Sequence, residues 1–377
     1  MDKPSLLYFG ADAPWPDLLK NGFSRRNTNL LKCFAESKAY SQVVSVHPVT
    51  RAQILRIIFS HKKAVGKVKD VFVAGFFPEK FNFAVFKHIN HLLFLIQFWA
   101  QGVRQFNKNN NILFCYWPKG YKLCRKIQLN GKLVFDTDHN IIHDENLNPN
   151  QLMAQEQLLL DAGKHSFCIV SSTRSMLSWY HDKGYKNTFR LRNGISTERF
   201  DTIDIITKKN ERPLIGYIGT VSKWIDYDAY EMLIRRNPQW DFAIYGPVYK
   251  SQQYKRFESY PNVLFKGPIK AQQVPEVIAT FNVALNLYRN EPWLDVDSMK
   301  LYEYLAGHVP VVSFNYHSYL TEDFENLLYV VDDVSEMEKA INELLLRPMP
   351  LGGFSSFINK STWAKRVETL NHEILNK

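Results

Sequence analysis

The chain has 377 residues, of which 45% are hydrophobic, 14% aromatic and 22% charged. This length suits two domains better than one, and the composition excludes disordered and collagen-like chains. No apolar run approaches the roughly 20 residues that cross a bilayer, and the N-terminal stretch lacks the layout of a signal peptide. Four cysteines without CxxC spacing are typical of buried thiols in a reducing compartment. We therefore expect a folded cytoplasmic protein.

Basic residues are concentrated in the first half of the chain. Residues 1–200 contain 28 Lys and Arg against 14 Asp and Glu, whereas the remainder contains 19 against 23. Residues 51–132 alone contain 15 basic side chains and two acidic ones. Such one-sided charge indicates an anionic partner, such as an anionic membrane surface or a phosphorylated carrier, although a solvated basic surface is also compatible with it. No nucleic-acid recognition motif is present, so we expect no nucleic-acid partner.

Short strand-like runs alternate with helical patterns along almost the whole chain. In the first half the runs are 5–9, 42–46, 71–74, 112–116, 132–136, 167–171 and 188–192. In the second half they are 214–218, 241–245, 263–266, 283–287, 311–313 and 328–331. Most are continuously apolar, as parallel strands buried on both faces are. Helical patterns between them include 27–38, 151–162, 227–236, 271–281 and 334–345, which predicts α/β domains with parallel sheets.

The polar segment 201–212 precedes Pro213 and a new apolar strand, and it predicts a linker. We therefore expect an N-terminal domain over 1–204 and a C-terminal domain over 205–360. A last helix over 361–377 follows a break rich in Pro and Gly. Its apolar residues, Trp363, Val367, Leu370 and Ile374, recur at helical spacing.

Two features of the second half have the chemistry of a phosphate site. Gly216 and Gly219 lie where the strand 214–218 leads into a helix, and Gly246 follows the next strand. Glycines at such turns let the backbone approach a phosphate, although many tight turns need them for steric reasons alone. Further on, Lys300 and Glu303 lie on one face of a predicted helix. They are either a surface pair or a diphosphate-binding cation beside a ribose-binding carboxylate.

The segment SMKLYEYLAGHVPVV resembles the (P)SKLFEYLAxGxPVV signature of nucleotide-sugar glycosyltransferases of family-4-like bacterial type. RLRNGISTERF, PLIGYIGTVSKWIDYDAYEML, DFAIYGP, NVLFKGPI and STWAKRVETL are similar to further motifs of that family, in the same order. The resemblance covers most of residues 185–377. It is strongest to enzymes of exopolysaccharide and teichuronic acid synthesis and to xanthan-type glucuronosyltransferases.

The resemblance implies the GT-B fold: two Rossmann-like domains, an interdomain cleft, and a C-terminal helix that crosses back to the first domain. It further implies that Lys300 binds the diphosphate, that Glu303 binds the ribose, and that Asp295 is the first residue of the paired acidic motif. The donor-binding set expected on this basis is Gly219, Thr220, Lys223, Gly246, Asp295, Ser298, Lys300, Leu301 and Glu303. Thr220 stands where typical retaining members carry Arg, and Lys223 is out of register with their Lys.

The first half offers a candidate base and a candidate acceptor loop. Asp138 and His139 follow the strand 132–136, and we expect Asp138, or else His139, to act as general base for the acceptor hydroxyl. A metal-binding DxD motif and a structural turn are the alternatives for this segment. Gly22, Arg25 and Arg26 lie in a loop after the first strand, where the two arginines would meet an acceptor phosphate unless the loop is merely solvated.

An apolar-rich helix over residues 88–103 lies in the most basic segment. It is either a core helix or a helix that dips into a bilayer interface, where the surrounding Lys and Arg would attract anionic lipid.

These features predict a glycosyltransferase that moves a sugar from a nucleoside-diphosphate donor, with UDP favoured, to a saccharide or lipid-linked saccharide in surface polysaccharide synthesis. We expect no metal and no cofactor, and a location either in the cytoplasm or at the cytoplasmic face of the inner membrane. A sugar-nucleotide epimerase of the same fold is the alternative, and it would act on the donor without an acceptor.

Overall fold

A computed structural model describes residues 3–50, 52–54, 65–75, 84–104, 106–137, 147–201, 211–291, 294–347 and 352–376. The chain divides into two compact units, Met1–Arg192 with Arg366–Lys377, and Asn193–Lys365. The chain therefore enters the second unit before the predicted boundary at 204/205. Of the predicted linker, residues 202–210 lie outside the described ranges. The last twelve residues group with the first unit.

The first unit contains a parallel sheet of seven strands. They are β1 (Ser5–Phe9), β2 (Gln42–Pro48), β3 (Val68–Val73), β4 (Ile112–Tyr116), β5 (Lys132–Thr137), β6 (Cys168–Ser171) and β7 (Thr188–Arg190), in the order β3-β2-β1-β4-β5-β6-β7. The described helices are α1 (Trp15–Asn21), α2 (Arg26–Glu36), α3 (Ala84–Ala100), α4 (Lys119–Ile127), α5 (Pro149–His165) and α6 (Arg174–Asp182).

The second unit contains a parallel sheet of six strands. They are β8 (Leu214–Ile218), β9 (Asp241–Tyr245), β10 (Val263–Gly267), β11 (Val283–Asn286), β12 (Val311–Phe314) and β13 (Leu328–Val331), in the order β10-β9-β8-β11-β12-β13. Its helices are α7 (Tyr227–Arg236), α8 (Val274–Ile278), α9 (Met299–Ala306), α10 (Leu320–Asp323), α11 (Val334–Leu346) and α12 (Gly352–Lys360). The final helix, α13 (Trp363–Leu375), begins in this unit and lies mostly in the first.

The prediction of two Rossmann-like α/β domains is confirmed. Each predicted apolar run overlaps a strand; β1, β11 and β12 are buried along their whole length, and β4 is buried at all but its last residue. In each sheet the strand order runs outward in both directions from the first strand, which creates a switch point between β1 and β4 and another between β8 and β11. Ligands of doubly wound sheets bind at the carboxyl edge of such points.

Some helix limits differ from the predicted ones. The helix expected over 271–281 is divided into a 3-10 turn, Ala271–Gln273, and the short helix α8, which has Pro275 in its first turn. Proline lacks a backbone N–H and therefore suits a helix start but not a helix interior. Among the described residues, no helix combines the length and the hydropathy that a membrane span requires.

Candidate functional site

Two glycines form the floor of the switch point in the second unit. Gly219 follows β8 and Gly246 follows β9, and both have positive φ, +155° and +137°. A Cβ on Gly246 would lie 1.9 Å from the carbonyl oxygen of Gly219, so the two backbones touch and no side chain fits between them. The phenol of Tyr217 donates to the Thr220 carbonyl oxygen at 3.1 Å and fixes the turn. Gly216 lies inside β8, where a Cβ would meet the Phe281 ring, and it serves packing alone.

Lys300 occupies this switch point. It is the second residue of α9, and its Nζ lies 3.5 Å from the Tyr217 hydroxyl of β8 and 3.4 Å from Asn286 Oδ1 at the end of β11. Asn286 donates its amide to Ser313 Oγ at 2.9 Å, which turns its carbonyl oxygen toward Lys300. The ammonium also lies 3.7 Å from the centroid of the Tyr288 ring, within cation–π distance.

The Lys300 ammonium is buried, and its neighbours in the described part of the chain are uncharged. The residue is 8% exposed, and no carboxylate of the described ranges forms an ion pair with it. Burial lowers the pKa of Lys300, while the neighbouring Tyr288 raises it. A buried cation that is met only by phenols, an amide and a ring is poorly compensated, and an anion bound beside it would relieve that cost.

The carboxylate of Glu303 is held by an arginine. Arg199 Nη1 lies 2.8 Å from Glu303 Oε1, and the second Nη donates to the Ala271 carbonyl oxygen. Both charged side chains are 20% exposed. Burial raises the pKa of Glu303, and Arg199 opposes that rise. Glu303 therefore presents an oriented, partly accessible carboxylate one turn along α9 from Lys300.

The acidic segment before α9 is tied to the residues that enter the second unit. Asp297 accepts hydrogen bonds from the Asn193 backbone N–H and, at 2.8 Å, from the Tyr302 hydroxyl. Asp295 and the helix-capping Ser298 are buried beside it, 6% and 4% exposed. These contacts fix the start of α9 and, with it, the position of Lys300.

The remaining residues of the predicted donor set differ in accessibility. Thr220 is exposed and Lys223 is half-buried, both in the turn between β8 and α7. The Leu301 side chain is fully buried in the hydrophobic core, so only its backbone is available to a ligand. The placement brings Gly219 and Lys300 into contact, since a Cβ on Gly219 would lie 3.0 Å from Lys300 Cε. The donor-binding role of the whole set stays a prediction.

The predicted acceptor residues lie in the first unit in two different environments. Arg26 is 3% exposed and forms a bidentate pair with Asp136 at the end of β5, with N···O distances of 3.0 and 2.9 Å. Arg25 is exposed and lies 3.4 Å from Asp12. Gly22 ends α1 with φ +86°. The guanidinium of Arg26 is thus occupied by its buried pair, whereas that of Arg25 is accessible to solvent. That either arginine meets an acceptor phosphate stays a prediction.

The predicted base lies outside the described residues, which end at 137 and resume at 147, so Asp138 and His139 stay a prediction. Within the described ranges, no group of three or more His, Cys, Asp or Glu has the arrangement of a metal site. The four cysteines are buried, and none of them forms a disulfide bond.

Comparison with known proteins finds a family match within the second unit. Residues 212–347 match the family model described as "Glycosyl transferases group 1". Over 140 residues the chain is 25% identical to TuaH of Bacillus subtilis (strain 168), a protein named as a glycosyltransferase of teichuronic acid biosynthesis, and the match covers 35% of each chain. Residues 212–347 are therefore similar to group 1 glycosyltransferases, and we call this stretch the group 1 domain.

Solved structures extend the likeness to the whole chain. The α,α-trehalose 6-phosphate synthase of Burkholderia multivorans superposes with a TM-score of 0.64 at 10% identity, over 99% of this chain and 98% of that one. HepE of Anabaena, solved with UDP and glucose, superposes with a TM-score of 0.55 at 13% identity, over 99% and 95%. At these identities the likeness shows the fold, which is GT-B.

The structure adds three residues of the second unit that the sequence prediction missed. Arg199 reaches Glu303 across 104 positions of sequence, while Asn286 and Tyr288 surround the Lys300 ammonium. The one local signal for Arg199 was its place in RLRNGISTERF, a motif that is similar to one of the family. The other two depend on strand adjacency, which the sequence alone does not give.

Proposed function

We propose that this chain transfers a sugar from a nucleoside-diphosphate donor to a saccharide or lipid-linked saccharide acceptor. The observation that carries the proposal is the buried Lys300 ammonium, which has no carboxylate partner among the described residues and lies at the switch point of the group 1 domain. The relative named for teichuronic acid biosynthesis supports surface polysaccharide as the product, and HepE, solved with UDP, supports a uridine donor.

Lys300 and Glu303 would bind different parts of the donor. The two glycine turns leave room for the diphosphate against bare backbone, with Lys300 beside it as a point charge. Glu303, oriented by Arg199, would accept hydrogen bonds from the ribose hydroxyls. A donor held this way has its diphosphate at the bottom of the site and its ribose on α9.

In the transfer step, the acceptor hydroxyl oxygen forms a bond to the anomeric carbon and the bond from that carbon to the diphosphate oxygen breaks. The leaving diphosphate takes the electron pair, and the Lys300 ammonium stabilises the charge that develops on it. The hydroxyl proton passes to a base, for which Asp138 and His139 are our candidates. Because a fixed cation already serves the leaving group, we propose that transfer needs no divalent metal.

The acceptor and the location belong to the same proposal. Basic residues 51–132 of the first unit favour an anionic acceptor, such as a diphosphate-linked lipid, presented at the cytoplasmic face of the inner membrane. The donor site, by contrast, lies in the group 1 domain.

The first test is thermal stabilisation of the full chain by UDP, GDP, ADP and CMP. A ligand at about 100 times its dissociation constant stabilises by about 2.7 kcal/mol, and we expect UDP to give this shift. Glu303→Gln should lose it, whereas Glu343→Gln, an exposed carboxylate on α11 of the same unit, should keep it. No shift with any of the four nucleotides would contradict the proposed donor site.

The second test measures release of UDP from UDP-sugars with and without a saccharide acceptor, in the presence of a chelator. We expect release that depends on the acceptor and persists without divalent metal. Conversion of the donor to its epimer without any acceptor would overturn transfer, and activity only after metal addition would overturn metal independence.

A further inference from the structure

Helix α3 of the first unit exposes a row of five large apolar side chains. Val85, Ile89, Leu92, Ile96 and Trp99 are 64%, 38%, 58%, 50% and 64% exposed. Their spacing of four, three, four and three residues places all five on one side of the helix. Scattered apolar residues on a surface need no explanation, but a continuous row along four turns is typical of an interaction surface.

The outward direction of this row is fixed by the opposite side of the helix. Phe94 and Phe98 are buried in the hydrophobic core. Gln97 accepts from the Ala74 backbone N–H at 2.8 Å and donates to the Ala74 carbonyl oxygen at 3.1 Å. Gln101 makes the same pair of bonds to Phe72, at 3.0 and 2.7 Å. Two glutamines thus clamp α3 to the edge strand β3 and its end, so the helix cannot rotate to bury the row.

A basic surface lies next to the row. His91 on the flank of α3 bonds the carbonyl oxygen of Ile127, the last residue of α4, and both helices pack on the same core. Helix α4 has no acidic residue and exposes Lys119, Lys122 and Lys126.

Acidic charge is scarce in this region. Within the described part of residues 65–132 the only carboxylate is Asp70, which is bound to His47 and to the Trp15 backbone N–H. Lys119 and Lys122 are exposed, and no carboxylate of this described stretch offsets them; Asp161, which contacts α4 from α5, pairs with Arg125.

We propose that the exposed side of α3, with the lysines of α4 beside it, is a docking surface for an anionic lipid bilayer. The row spans 15 residues, from Val85 to Trp99, which is about 21 Å along the helix axis and enough to lie flat in the interfacial layer. Trp99 at its C-terminal end suits the boundary between headgroups and acyl chains. Each lysine near an anionic surface adds about a fivefold gain in partitioning.

Charge selects this occupant over a second copy of the chain. Two copies that met through α3 would bring two sets of α4 lysines together, at the cost of like-charge repulsion. An anionic bilayer would bury the apolar row and would also attract the lysines. The surface belongs to the first unit and does not depend on the donor chemistry proposed for the second.

The test is co-sedimentation of the full chain with vesicles of phosphatidylcholine alone and of phosphatidylcholine with about one third phosphatidylglycerol. We expect binding to the anionic vesicles that weakens as salt rises. The variant Leu92→Ser/Ile96→Ser/Trp99→Ser should lower that binding about tenfold or more. Lys119→Gln/Lys122→Gln should lower it in the anionic vesicles alone. The matched control Met232→Ser/Leu346→Ser removes two exposed apolar side chains of the second unit and should bind as the wild type does.

Two further readouts complete the test. Thermal stabilisation by UDP should be unchanged in the α3 variant, so a failure of docking and a failure of the donor site are distinguishable. Equal binding by the wild type and the α3 variant, or no binding to anionic vesicles, would overturn the proposal. It would also be overturned if the α3 variant converted a dimer to a monomer, which would make a second copy the occupant, or if its melting temperature fell sharply, which would show that the chain itself covers the row.

Discussion

In both units the strand order reverses between the first strand and the fourth, and a glycine of positive φ follows the first strand at that point, Gly10 in one and Gly219 in the other. The two units differ in how a buried cation is compensated. Arg26 is paired bidentately with Asp136, whereas Lys300 is surrounded by Tyr217, Asn286 and Tyr288 and has no carboxylate partner in the described ranges.

This difference shows which of the two buried cations is available to a ligand. In a buried ion pair each charge compensates the other, and removal of one partner leaves an uncompensated charge. A buried cation without a carboxylate makes the empty site less stable but attracts an anion strongly. The same fold thus uses one buried cation to hold the structure together and, in our account, the other to bind a diphosphate.

The largest effect is expected from Asp136→Asn in the first unit. It removes the charge that compensates Arg26, and we expect the free energy of unfolding to fall by about 3 to 5 kcal/mol, measured by denaturant unfolding. The double variant Arg26→Met/Asp136→Leu removes both charges and should recover most of that loss. A loss below about 1 kcal/mol for Asp136→Asn, the size expected of a surface pair, would remove the contrast between the units.

The next effect is expected from Gly246→Ala at the floor of the donor site. Its Cβ would lie 1.9 Å from the Gly219 carbonyl oxygen, so the backbone must shift, at a cost of about 3 kcal/mol or more. The control is Gly267→Ala, which also has positive φ but open space around its Cβ, and which should cost about 1 kcal/mol. Thermal unfolding with and without UDP measures both. Similar losses in the two variants would show that close backbone contact is unimportant.

A pH-dependent effect is expected from Arg199→Gln. Without its guanidinium the pKa of Glu303 rises further, because burial alone then acts on it. Glu303 must be ionised to accept both ribose hydroxyls, so UDP affinity of the variant should fall as pH decreases from 7 to 5, more steeply than in the wild type. Calorimetric titration across this range is the measurement. Parallel pH profiles would show that Arg199 does not tune Glu303.

The smallest effect concerns the stability of the protein without a bound donor. Because the pKa of Lys300 is lowered on folding, the unfolded chain binds more protons between the folded pKa and the unfolded value of 10.5, and stability rises with pH across that window. Lys300→Met should therefore be as stable as the wild type or more stable at pH 7. Its advantage should shrink as pH rises toward 10. A variant clearly less stable than the wild type at pH 7 would show that the ammonium is well compensated.

The fold was largely predictable and the pairing of charges was not. Continuous apolar runs such as 112–116 and 283–287 identified the strands because central parallel strands are buried on both faces. Lys300 and Glu303 stood out because helical spacing and the family motif place them together. The partners Asp136 of Arg26 and Arg199 of Glu303 are 110 and 104 positions away in sequence, and only the folded sheet brings them into contact.

Helix α3 is a second example of a feature that the sequence alone could not predict. Its sequence was compatible with a core helix and with an interfacial one, since composition alone does not say which side of a helix is packed. The structure buries Phe94 and Phe98 and leaves Leu92, Ile96 and Trp99 exposed. The side-chain amides of Gln97 and Gln101, which decide that orientation, bond to Ala74 and Phe72, which are 23 and 29 positions earlier in the sequence.

The central claim is that Lys300 provides the charge for the donor diphosphate, and calorimetric titration of UDP tests it most directly. We predict that Lys300→Met weakens UDP binding at least tenfold, about 1.4 kcal/mol, while the empty variant stays as stable as the wild type. The control Lys339→Met, an exposed lysine on α11, should bind UDP as the wild type does. Unchanged UDP affinity in Lys300→Met would contradict the account.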